Sequence, residues 1–304
     1  MKPKVFIDGK EGTTGLQIYD RLANRTDIEL LLIDEAKRKD TEERRRLINE
    51  ADLVFLCLPD KAAIEAVSLI ENENTRVIDA STAHRTNPDW DYGFPELSPE
   101  HREAIISSKR VANPGCHASG FVSIVYPLVK AGVLPADYAL TCFSLTGYSG
   151  GGKKMIAEYE AEDKANELNA PRIYGLSLSH KHIPEMTAIT GLEKKPIFCP
   201  IVDDYYCGMA TSVPIQGIDS ELILDTLKKH YEGQQFVKVT PELCDSGMLE
   251  ANCNVGTNMM EITVCGNGNE TLVVSRFDNL GKGASGSAVE NMNLMLGFEP
   301  DSGL

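Results

Sequence analysis

The chain has 304 residues, of which 42% are hydrophobic and 25% are charged, and this balance excludes disordered and fibrous classes. The length allows two ordinary domains, each with its own apolar core. Asp and Glu outnumber Lys and Arg by 45 to 30, and a net charge of −15 excludes broad surfaces for nucleic acid or anionic lipid. An anionic substrate must therefore meet local cations.

The N-terminal residues enter a strand pattern directly, without an apolar stretch before a small-residue cleavage site. No run approaches the roughly 20 apolar residues that span a bilayer, so we predict a cytoplasmic protein with no membrane or nucleic-acid partner. The cysteines form no Cys-x-x-Cys pair and have no histidine at zinc-ligand spacing, so we predict no metal site. They stand at positions 57, 116, 142, 199, 207, 244, 253 and 265.

Apolar runs alternate with helix-like polar segments over the first hundred residues. This alternation predicts right-handed β-α-β units and a parallel sheet covered by helices on both faces. The predicted strands are Val5 to Asp8, Leu30 to Asp34, Leu53 to Leu58 and Val77 to Asp79.

After residue 130, longer strand-like runs predict a mixed or antiparallel sheet in a second domain that begins near Pro114. These runs are Tyr138 to Leu145, Met209 to Pro214, Glu261 to Cys265 and Thr271 to Phe277. A last helix is predicted over residues 282–297, because alanines and methionines recur there every three or four residues. It could return to the first domain.

A glycine-rich turn separates the first predicted strand from a helical pattern over residues 16–23. Glycines three residues apart let the backbone approach a pyrophosphate, whose charge then meets amides and the positive end of the helix. A turn that needs glycine for its conformation alone is the alternative, because the spacing departs from G-x-G-x-x-G. The predicted dinucleotide contacts are Gly9, Gly12, Thr13, Thr14 and Gly15.

The second predicted strand ends at Asp34, and the cations Lys37 and Arg38 follow closely. A carboxylate here favours NAD by binding the ribose 2′-hydroxyl, whereas the cations favour NADP by pairing with its 2′-phosphate. The cations could equally form a solvated charge run at the head of a helix. We predict NADP, partly from the resemblance described below.

Cys116 follows Asn113-Pro114-Gly115 and precedes an apolar helical pattern over residues 121–129. At a helix N-terminus, unpaired amides and the helix dipole favour thiolate over thiol, which makes a cysteine nucleophilic near neutral pH. A buried structural cysteine is the alternative. We predict that Cys116 is a catalytic nucleophile.

Two histidines, His180 and His182, lie two residues apart and would share one face of an extended segment. They are candidates for proton transfer or substrate contact, with surface or satisfied core histidines as the alternative. Arg85, and Lys153 after a glycine run, are candidate phosphate contacts or ordinary loop residues. The glycine run does not match the full pattern G-x-x-x-x-G-K-[ST], because Lys154 follows Lys153, so nucleotide hydrolysis is not predicted.

The pair Tyr126 and Lys130 matches the Tyr-x-x-x-Lys pattern of short-chain dehydrogenases. We interpret this match as accidental, because Tyr126 lies in an apolar helical stretch and no serine lies about a dozen residues upstream.

Nearly the whole chain closely resembles the short-form N-acetyl-gamma-glutamyl-phosphate reductases of arginine biosynthesis, within the semialdehyde dehydrogenase superfamily. The segments that carry this resemblance are residues 9–15, 79–85 (DASTAHR), 92–97 (YGFPEL), 113–116 (NPGC), 147–154 (GYSGGGKK), 180–185 (HKHIPE) and 278–284 (DNLGKGA).

The resemblance implies an α/β fold with a Rossmann NADP-binding domain over residues 1–113, completed by residues 282–304. It implies an α+β catalytic and oligomerisation domain with a mixed sheet over residues 114–281, and a homodimer or homotetramer. Cys116 would be the nucleophile and one of the two histidines the acid/base. Ser81 and Asn279 would join the cofactor contacts, and the expected substrate contacts are Arg85, Asn113, Ser149 and Lys153.

The reaction that this family carries out is the NADPH-dependent reduction of an acyl phosphate, N-acetyl-gamma-glutamyl phosphate, to a semialdehyde and phosphate through a cysteine thioester. One alternative is another acyl-phosphate reductase, of the aspartate- or aminoadipate-semialdehyde type. The other is a non-catalytic NADP-binding sensor, which would need neither a reactive thiol nor the histidine pair.

Overall fold

A computed structural model describes residues 2–240 and 247–304, so that Met1 and Cys244 lie outside the described residues. The helices in the described residues are, in chain order, α1 (Thr13–Leu22), α2 (Thr41–Glu50), α3 (Asp60–Ser68), α4 (Pro99–Ser107), α5 (Cys116–Lys130), α6 (Gly152–Tyr159), α7 (Ile183–Thr190), α8 (Ser220–His230) and α9 (Gly286–Leu296). The strands in the same residues are β1 (Lys4–Asp8), β2 (Glu29–Leu31), β3 (Leu53–Leu56), β4 (Arg76–Asp79), β5 (Asp91–Tyr92), β6 (Arg110–Ala112), β7 (Thr141–Gly147), β8 (Arg172–Ile173), β9 (Ile197–Asp203), β10 (Met209–Gln216), β11 (Val237–Thr240), β12 (Met260–Asn267) and β13 (Glu270–Phe277).

The described chain divides into two compact units, Met1–Pro114 with Ala284–Leu304, and Gly115–Gly283. The first unit contains a parallel sheet with the strand order β2-β1-β3-β4-β6-β5. Val5 and Ile7 pack into a core with residues of α1, α4 and α9, whereas Phe6 packs on the other face with residues of α2 and α3. Because both faces are buried, the strands are continuously apolar. The predicted parallel sheet with helices on both faces is confirmed.

Two predicted strands of this sheet are shorter in the structure. β2 ends at Leu31 rather than Asp34, because it is an edge strand whose last pair is Phe6 with Leu31. Asp34 instead caps a short 3-10 turn, with its Oδ1 accepting the Ala36 amide at 2.9 Å. Likewise β3 ends at Leu56, and Pro59 then serves as the N-cap of α3.

The second unit contains a mixed sheet, as the sequence predicts. Its strand order among the described residues is β11-β12-β13-β10-β7-β9-β8. One face packs against α5 and α8. This packing is close, since a Cβ added at Gly120 of α5 would lie 2.3 Å from Thr211 Oγ1. The opposite face carries the exposed apolar side chains of Phe143, Ile197 and Leu272.

The predicted C-terminal helix is interrupted at its start. A π-helical turn over Gly281–Ser285 precedes α9, which ends at Gly297 with a left-handed φ of 76°. Ala288 and Met292 of α9 lie in the core of the first unit. No helix within the described residues is both long and apolar enough to cross a membrane.

A buried ion pair lies at the C-terminal end of β1. Arg44 Nη2 of α2 donates to Asp8 Oδ2 at 2.8 Å, and both side chains are almost fully buried. Burial raises the pKa of the Asp8 carboxyl, and Arg44 opposes that rise. The pair therefore ties α2 to the strand that leads into the glycine-rich turn.

We expect Arg44→Met to lower the free energy of unfolding of the first unit by about 3 kcal/mol, because it leaves the Asp8 carboxyl buried without its cation. The neighbouring exposed pair of Arg45 and Glu71 supplies a matched control, and Arg45→Met should cost less than about 1 kcal/mol. Urea unfolding followed by fluorescence of Trp90, the single tryptophan of the chain, measures both. Equal losses in the two variants would contradict a stabilising role for the buried pair.

Candidate active site

Cys116 is the first residue of α5, and the N-cap residue Gly115 has no side chain to satisfy the first amides of the helix. The Gly115 carbonyl accepts the Ser119 amide at 2.8 Å, which closes the first helical turn. The positive end of a helix dipole stabilises negative charge on a sulfur at this position. The helix begins before the predicted apolar stretch, so Cys116 lies at the helix N-terminus that the sequence predicts.

A buried carboxylate on α7, Glu185, holds the residue before the cysteine. Its Oε1 accepts the Gly115 amide proton at 2.8 Å. Gly283 is also close, because a Cβ added there would lie 3.0 Å from the Cβ of Cys116. These contacts within the second unit orient the start of α5.

His180 and His182 lie in a turn before α7, so they do not share a face in the way that an extended segment would place them. The turn forms because the Ile183 amide donates to the His180 carbonyl at 3.0 Å, just before Pro184 in the first turn of α7. The rings of His180 and His182 lie 6.0 and 5.6 Å from the ring of His117, centroid to centroid. The turn therefore brings both rings into one cluster with the residue that follows Cys116.

His117 is buried and its two ring nitrogens both make hydrogen bonds. Nδ1 lies 2.7 Å from Ser144 Oγ, and Nε2 lies 2.7 Å from Tyr174 Oη. Burial, together with the nearby His180 and Lys181, lowers the pKa of His117 to about 3. His117 is therefore neutral at physiological pH.

The hydrogen bond between His180 and His182 determines which ring nitrogen of neutral His180 carries the proton. His180 Nδ1 accepts the His182 amide proton at 3.3 Å, so a neutral His180 carries its own proton on Nε2. Burial, and then the charge of Lys181, lower the pKa of His180. At Nε2, neutral His180 is consequently a hydrogen-bond donor.

Four residues of this cluster are not predicted from the sequence: His117, Tyr174, Ser144 and Glu185. His117 had one available signal, since it follows the predicted nucleophile directly in an otherwise apolar helix. The other three come from separate elements that only folding brings to α5.

The glycine-rich turn has the geometry that a dinucleotide requires. Gly9 has a φ of +90°, and a Cβ there would lie 2.4 Å from the Cys57 carbonyl oxygen. A Cβ at Gly15 would lie 2.5 Å from the Gly9 oxygen. α1 begins at Thr13 without a side-chain cap, so its first amides are available to a pyrophosphate.

The cations after β2 are exposed, whereas the Asp34 carboxylate is engaged by the Ala36 amide. Arg38 lies 3.8 Å from the exposed Glu35 carboxylate, a weak surface pair. Lys37 ends the 3-10 turn. Both cations can therefore meet an incoming phosphate.

Three other predicted contacts are buried in the first unit. Ser81 Oγ donates to Asp79 Oδ2 at 2.7 Å, and Arg85 Nε donates to the Asn113 carbonyl at 3.0 Å. Asn113 Nδ2 donates to the Ala284 carbonyl at 3.0 Å. Each of these side-chain donors is therefore hydrogen-bonded to another residue of the first unit.

The remaining predicted contacts lie in the second unit. Asn279 Nδ2 donates to Ser149 Oγ at 3.0 Å, and its Oδ1 accepts the Gly208 amide at 2.8 Å. Asn279 thus connects the loops that contain Ser149 and Gly208. Lys153 is exposed on α6. Among residues 2–240 and 247–304, no group of three His, Cys, Asp or Glu residues is arranged to hold a metal ion.

We expect the neutral His117 to make the fold acid-sensitive. Its folded pKa is about 3, below the ordinary value of 6.5, so the unfolded chain binds the proton first and stability falls as pH drops from 6.5 towards 3. Between pH 7 and 5, the wild type should lose about 2 kcal/mol more stability than His117→Gln. Urea unfolding followed by circular dichroism at both pH values measures this difference, and equal acid sensitivities would contradict a buried neutral imidazole.

Two family profiles match the chain. The profile "Semialdehyde dehydrogenase, NAD binding domain" matches residues 4–105, and "Semialdehyde dehydrogenase, dimerisation domain" matches residues 116–279. The first unit therefore carries a nicotinamide-dinucleotide-binding domain, and the second carries a dimerisation domain.

Curated relatives match along the whole chain. An N-acetyl-gamma-glutamyl-phosphate reductase of Nostoc sp. is 46% identical, over 100% of this chain and 99% of its own. The enzyme of that name from Rhizobium etli is 47% identical, over 97% of this chain and 99% of its own.

Solved structures share the fold. Aspartate semialdehyde dehydrogenase II of Vibrio cholerae superposes with a TM-score of 0.73 at 16% identity, covering 97% of this chain and 98% of its own. The Candida albicans enzyme, solved with NADP, superposes with a TM-score of 0.66 at 16% identity, covering 97% of this chain and 99% of its own. The predicted fold of a Rossmann domain with a mixed-sheet α+β domain is confirmed. With its near-complete match to the curated relatives, the chain belongs to the semialdehyde dehydrogenase superfamily and, within it, to the N-acetyl-gamma-glutamyl-phosphate reductase family.

Proposed function

We propose that this protein reduces N-acetyl-gamma-glutamyl phosphate to N-acetylglutamate 5-semialdehyde and phosphate with NADPH, in arginine biosynthesis in the cytoplasm. The observation that carries the proposal is the match of 46% over the whole chain to a reductase of that name. The cysteine that begins α5 supplies the chemistry that such a reaction needs.

Cys116 is the proposed nucleophile. Its thiolate attacks the acyl carbon, a carbon–sulfur bond forms, and the carbon–oxygen bond to phosphate breaks. The positive end of the α5 dipole is suited to stabilising both the thiolate and the oxyanion of the tetrahedral intermediate. The product of this step is a thioester on Cys116.

The glycine turn over residues 9–15 is the proposed pyrophosphate cradle, and NADPH when bound supplies the hydride that reduces the thioester carbonyl. Ser81 and Asn279 are the further proposed cofactor-binding residues. The Ser81 side chain is hydrogen-bonded to Asp79 and the Asn279 side chain to Ser149, so both would contribute by holding their loops in place. The oxyanion left by hydride addition takes a proton to form a thiohemiacetal. The thiohemiacetal then returns this proton as its carbon–sulfur bond breaks, and the aldehyde leaves with the thiolate restored.

His182 is the proposed acid/base for this proton, with His180 as a donor beside it. The support is the tautomer of His180, whose Nδ1 is occupied by the His182 amide. A neutral imidazole that already carries its proton on Nε2 cannot accept another there. His180 is therefore better suited to donate a hydrogen bond to a carbonyl or phosphate oxygen.

The proposed substrate contacts are the four that the sequence predicts, Arg85, Asn113, Ser149 and Lys153. Lys153 is an exposed cation and fits a phosphate directly. Arg85 and Asn113 each donate to a backbone carbonyl, so their contribution includes holding the loops of the first unit.

We also propose that the chain is a homodimer or homotetramer whose contact surface includes the open face of the mixed sheet. Phe143, Ile197 and Leu272 are each at least 40% exposed on that face, and a second copy would cover them. Sedimentation equilibrium distinguishes the two assemblies, and a monomer would contradict both.

We expect Cys116→Ala to abolish the phosphate-dependent reduction of NADP⁺ by N-acetylglutamate semialdehyde, because no thioester can form. The half-buried Cys199 supplies the control, and Cys199→Ala should retain activity. If the wild type is active only with aspartate semialdehyde, the thioester mechanism would stand but N-acetyl-gamma-glutamyl phosphate would be rejected as the substrate. A wild type inactive with every semialdehyde would favour a non-catalytic NADP-binding protein.

We expect the double substitution of Lys37 and Arg38 by Ala to raise the KM for NADPH at least about tenfold, because ion pairs with the 2′-phosphate are lost. The KM for NADH should change less than about twofold, since NADH lacks that phosphate. Steady-state kinetics with both cofactors measures the ratio. Parallel changes with NADPH and NADH would reject 2′-phosphate recognition by these cations.

A further inference from the structure

One arginine of the second unit has no part in the proposed steps. Arg172 of β8 is half-buried, and among residues 2–240 and 247–304 no carboxylate pairs with it. We propose that Arg172 binds the α-carboxylate of the N-acetylglutamyl group and so determines specificity for it, and that Tyr159 is the positioning residue that holds the guanidinium. The inference rests on the proposed function and deepens it.

The guanidinium of Arg172 is held by the last residue of α6, Tyr159. Arg172 Nε and Nη2 donate to Tyr159 Oη at 3.2 and 2.9 Å, and the guanidinium carbon lies 5.2 Å from the centroid of the Tyr159 ring. That ring in turn stacks on Tyr148, with centroids 4.7 Å apart. A stacked aromatic pair rather than an opposite charge therefore fixes the position of Arg172.

The bonds to Tyr159 occupy one edge of the guanidinium and leave another edge available. Arginine carries five N–H donors in a planar fork. Nε and Nη2 form the edge that faces Tyr159, so the parallel N–H groups of Nη1 and Nη2 form the remaining edge. In the part of the chain that the structure describes, no acceptor binds that edge. Two parallel donors match the two oxygens of a carboxylate.

The Tyr159 hydroxyl indicates the same charge for the ligand. Its oxygen accepts both bonds from Arg172, and within the described residues its own proton has no acceptor. Tyr159 is only 3% exposed, so a proton left without an acceptor is costly. The two side chains together offer N–H and O–H donors, while the phenol oxygen is already occupied. A set that consists of donors alone fits an anion.

A cation in the same segment differs from Arg172 in having a partner. Lys164 Nζ lies 2.6 Å from Asp204 Oδ2. The chain has 45 acidic residues and a net charge of −15, yet none of its described carboxylates pairs with Arg172. Because the acidic surface repels anions elsewhere, a guanidinium without a carboxylate partner is a local site of attraction for an anionic ligand.

The strand that carries Arg172 leads to the candidate active site. Arg172 and Ile173 pair with β9, and Tyr174 continues the extended run, since its amide donates to a β9 carbonyl at 3.0 Å. Residues two apart in a strand share a face and lie about 7 Å apart, and Ile173 between them is 58% exposed on the other face. Tyr174 Oη lies 2.7 Å from Nε2 of His117, the residue after Cys116. Arg172 therefore lies one strand repeat from a side chain that is bonded to α5.

The length of the acyl group suits this separation. Four carbon–carbon bonds join the acyl carbon of N-acetyl-gamma-glutamyl phosphate to its α-carboxylate carbon, which is about 5 Å when extended. Tyr159 and Tyr174 also pack in one apolar cluster, so Arg172 is held beside the side chain that contacts α5. Lys153 and Tyr159 lie near opposite ends of α6, about 9 Å apart along its axis. The proposed phosphate contact and the proposed carboxylate contact are therefore separate.

The first experiment is Arg172→Gln, assayed in the direction of NADP⁺ reduction with N-acetylglutamate semialdehyde and phosphate. We expect the KM for the semialdehyde to rise about 10- to 100-fold, because charge-assisted hydrogen bonds to its carboxylate are lost. The KM for phosphate and kcat should change less than about threefold. Lys164→Gln is the matched control, since it removes the same charge from the same segment but from a cation paired with Asp204, and it should change none of these constants. A rise in the KM for phosphate instead of the semialdehyde would overturn the assignment to a carboxylate.

The second experiment changes the ligand and the positioning residue. 4-Acetamidobutanal lacks only the α-carboxylate, so wild type and Arg172→Gln should use it with equal kcat/KM. Arg172→Lys keeps the charge without the fork and should lie between them with N-acetylglutamate semialdehyde. Tyr159→Phe keeps the ring and removes the hydroxyl, so the KM for that semialdehyde should rise several-fold with kcat nearly unchanged. Combined with Arg172→Gln, it should add little, because both act on one contact.

A binding measurement separates failure of the inference from failure of the proposed function. N-acetylglutamate and 4-acetamidobutyrate also differ only by the α-carboxylate, and calorimetric titration compares them without turnover. We expect the wild type to bind N-acetylglutamate at least about tenfold more tightly and Arg172→Gln to lose that preference, with circular dichroism establishing that each variant is folded. Equal preferences in the two proteins, or equal losses with both aldehydes, would overturn the inference. A wild type that keeps the preference but does not turn over the semialdehyde would reject the proposed function alone.

Discussion

The N-terminus of α5 is the constraint on which the rest of the candidate site depends. A cysteine at the first position of a helix lies beside the amides of the first turn, and the positive end of the helix dipole favours its thiolate. The helix must start at this residue, and the Glu185 carboxylate secures that start by accepting the Gly115 amide. Small shifts of the start would rotate the sulfur away from these amides, so packing of α5 on α7 and on the mixed sheet becomes part of the chemistry.

Burial of α5 has a second consequence, which is the neutral state of His117. Desolvation of the buried imidazole, together with the nearby His180 and Lys181, lowers its pKa to about 3. The ring then works through hydrogen bonds alone. Lys153, the proposed phosphate contact, is by contrast an exposed cation on an otherwise acidic protein.

Much of the first unit could be predicted because its signals are local. A strand, a glycine turn and a helix follow one another over residues 4–22, and each glycine contact is made with the same turn or the adjacent strand end. The prediction erred at Asp34, where sequence shows an apolar run but not that an edge strand loses its partner after Leu31. The turn at His180 and His182 could not be predicted, because a turn and an extended segment have the same spacing along the chain.

The sequence by itself determined the parallel sheet, the glycine turn, the placement of Cys116 at a helix start and the resemblance that identifies the family. These follow from residue types and their spacing, which are properties of neighbouring positions. Only the tertiary structure decided that His117 is neutral, that Tyr174 and Ser144 bind its two nitrogens and that Glu185 holds Gly115. Those partners lie tens of residues from α5, and their effects depend on burial and on distances between atoms that the order of residues does not contain.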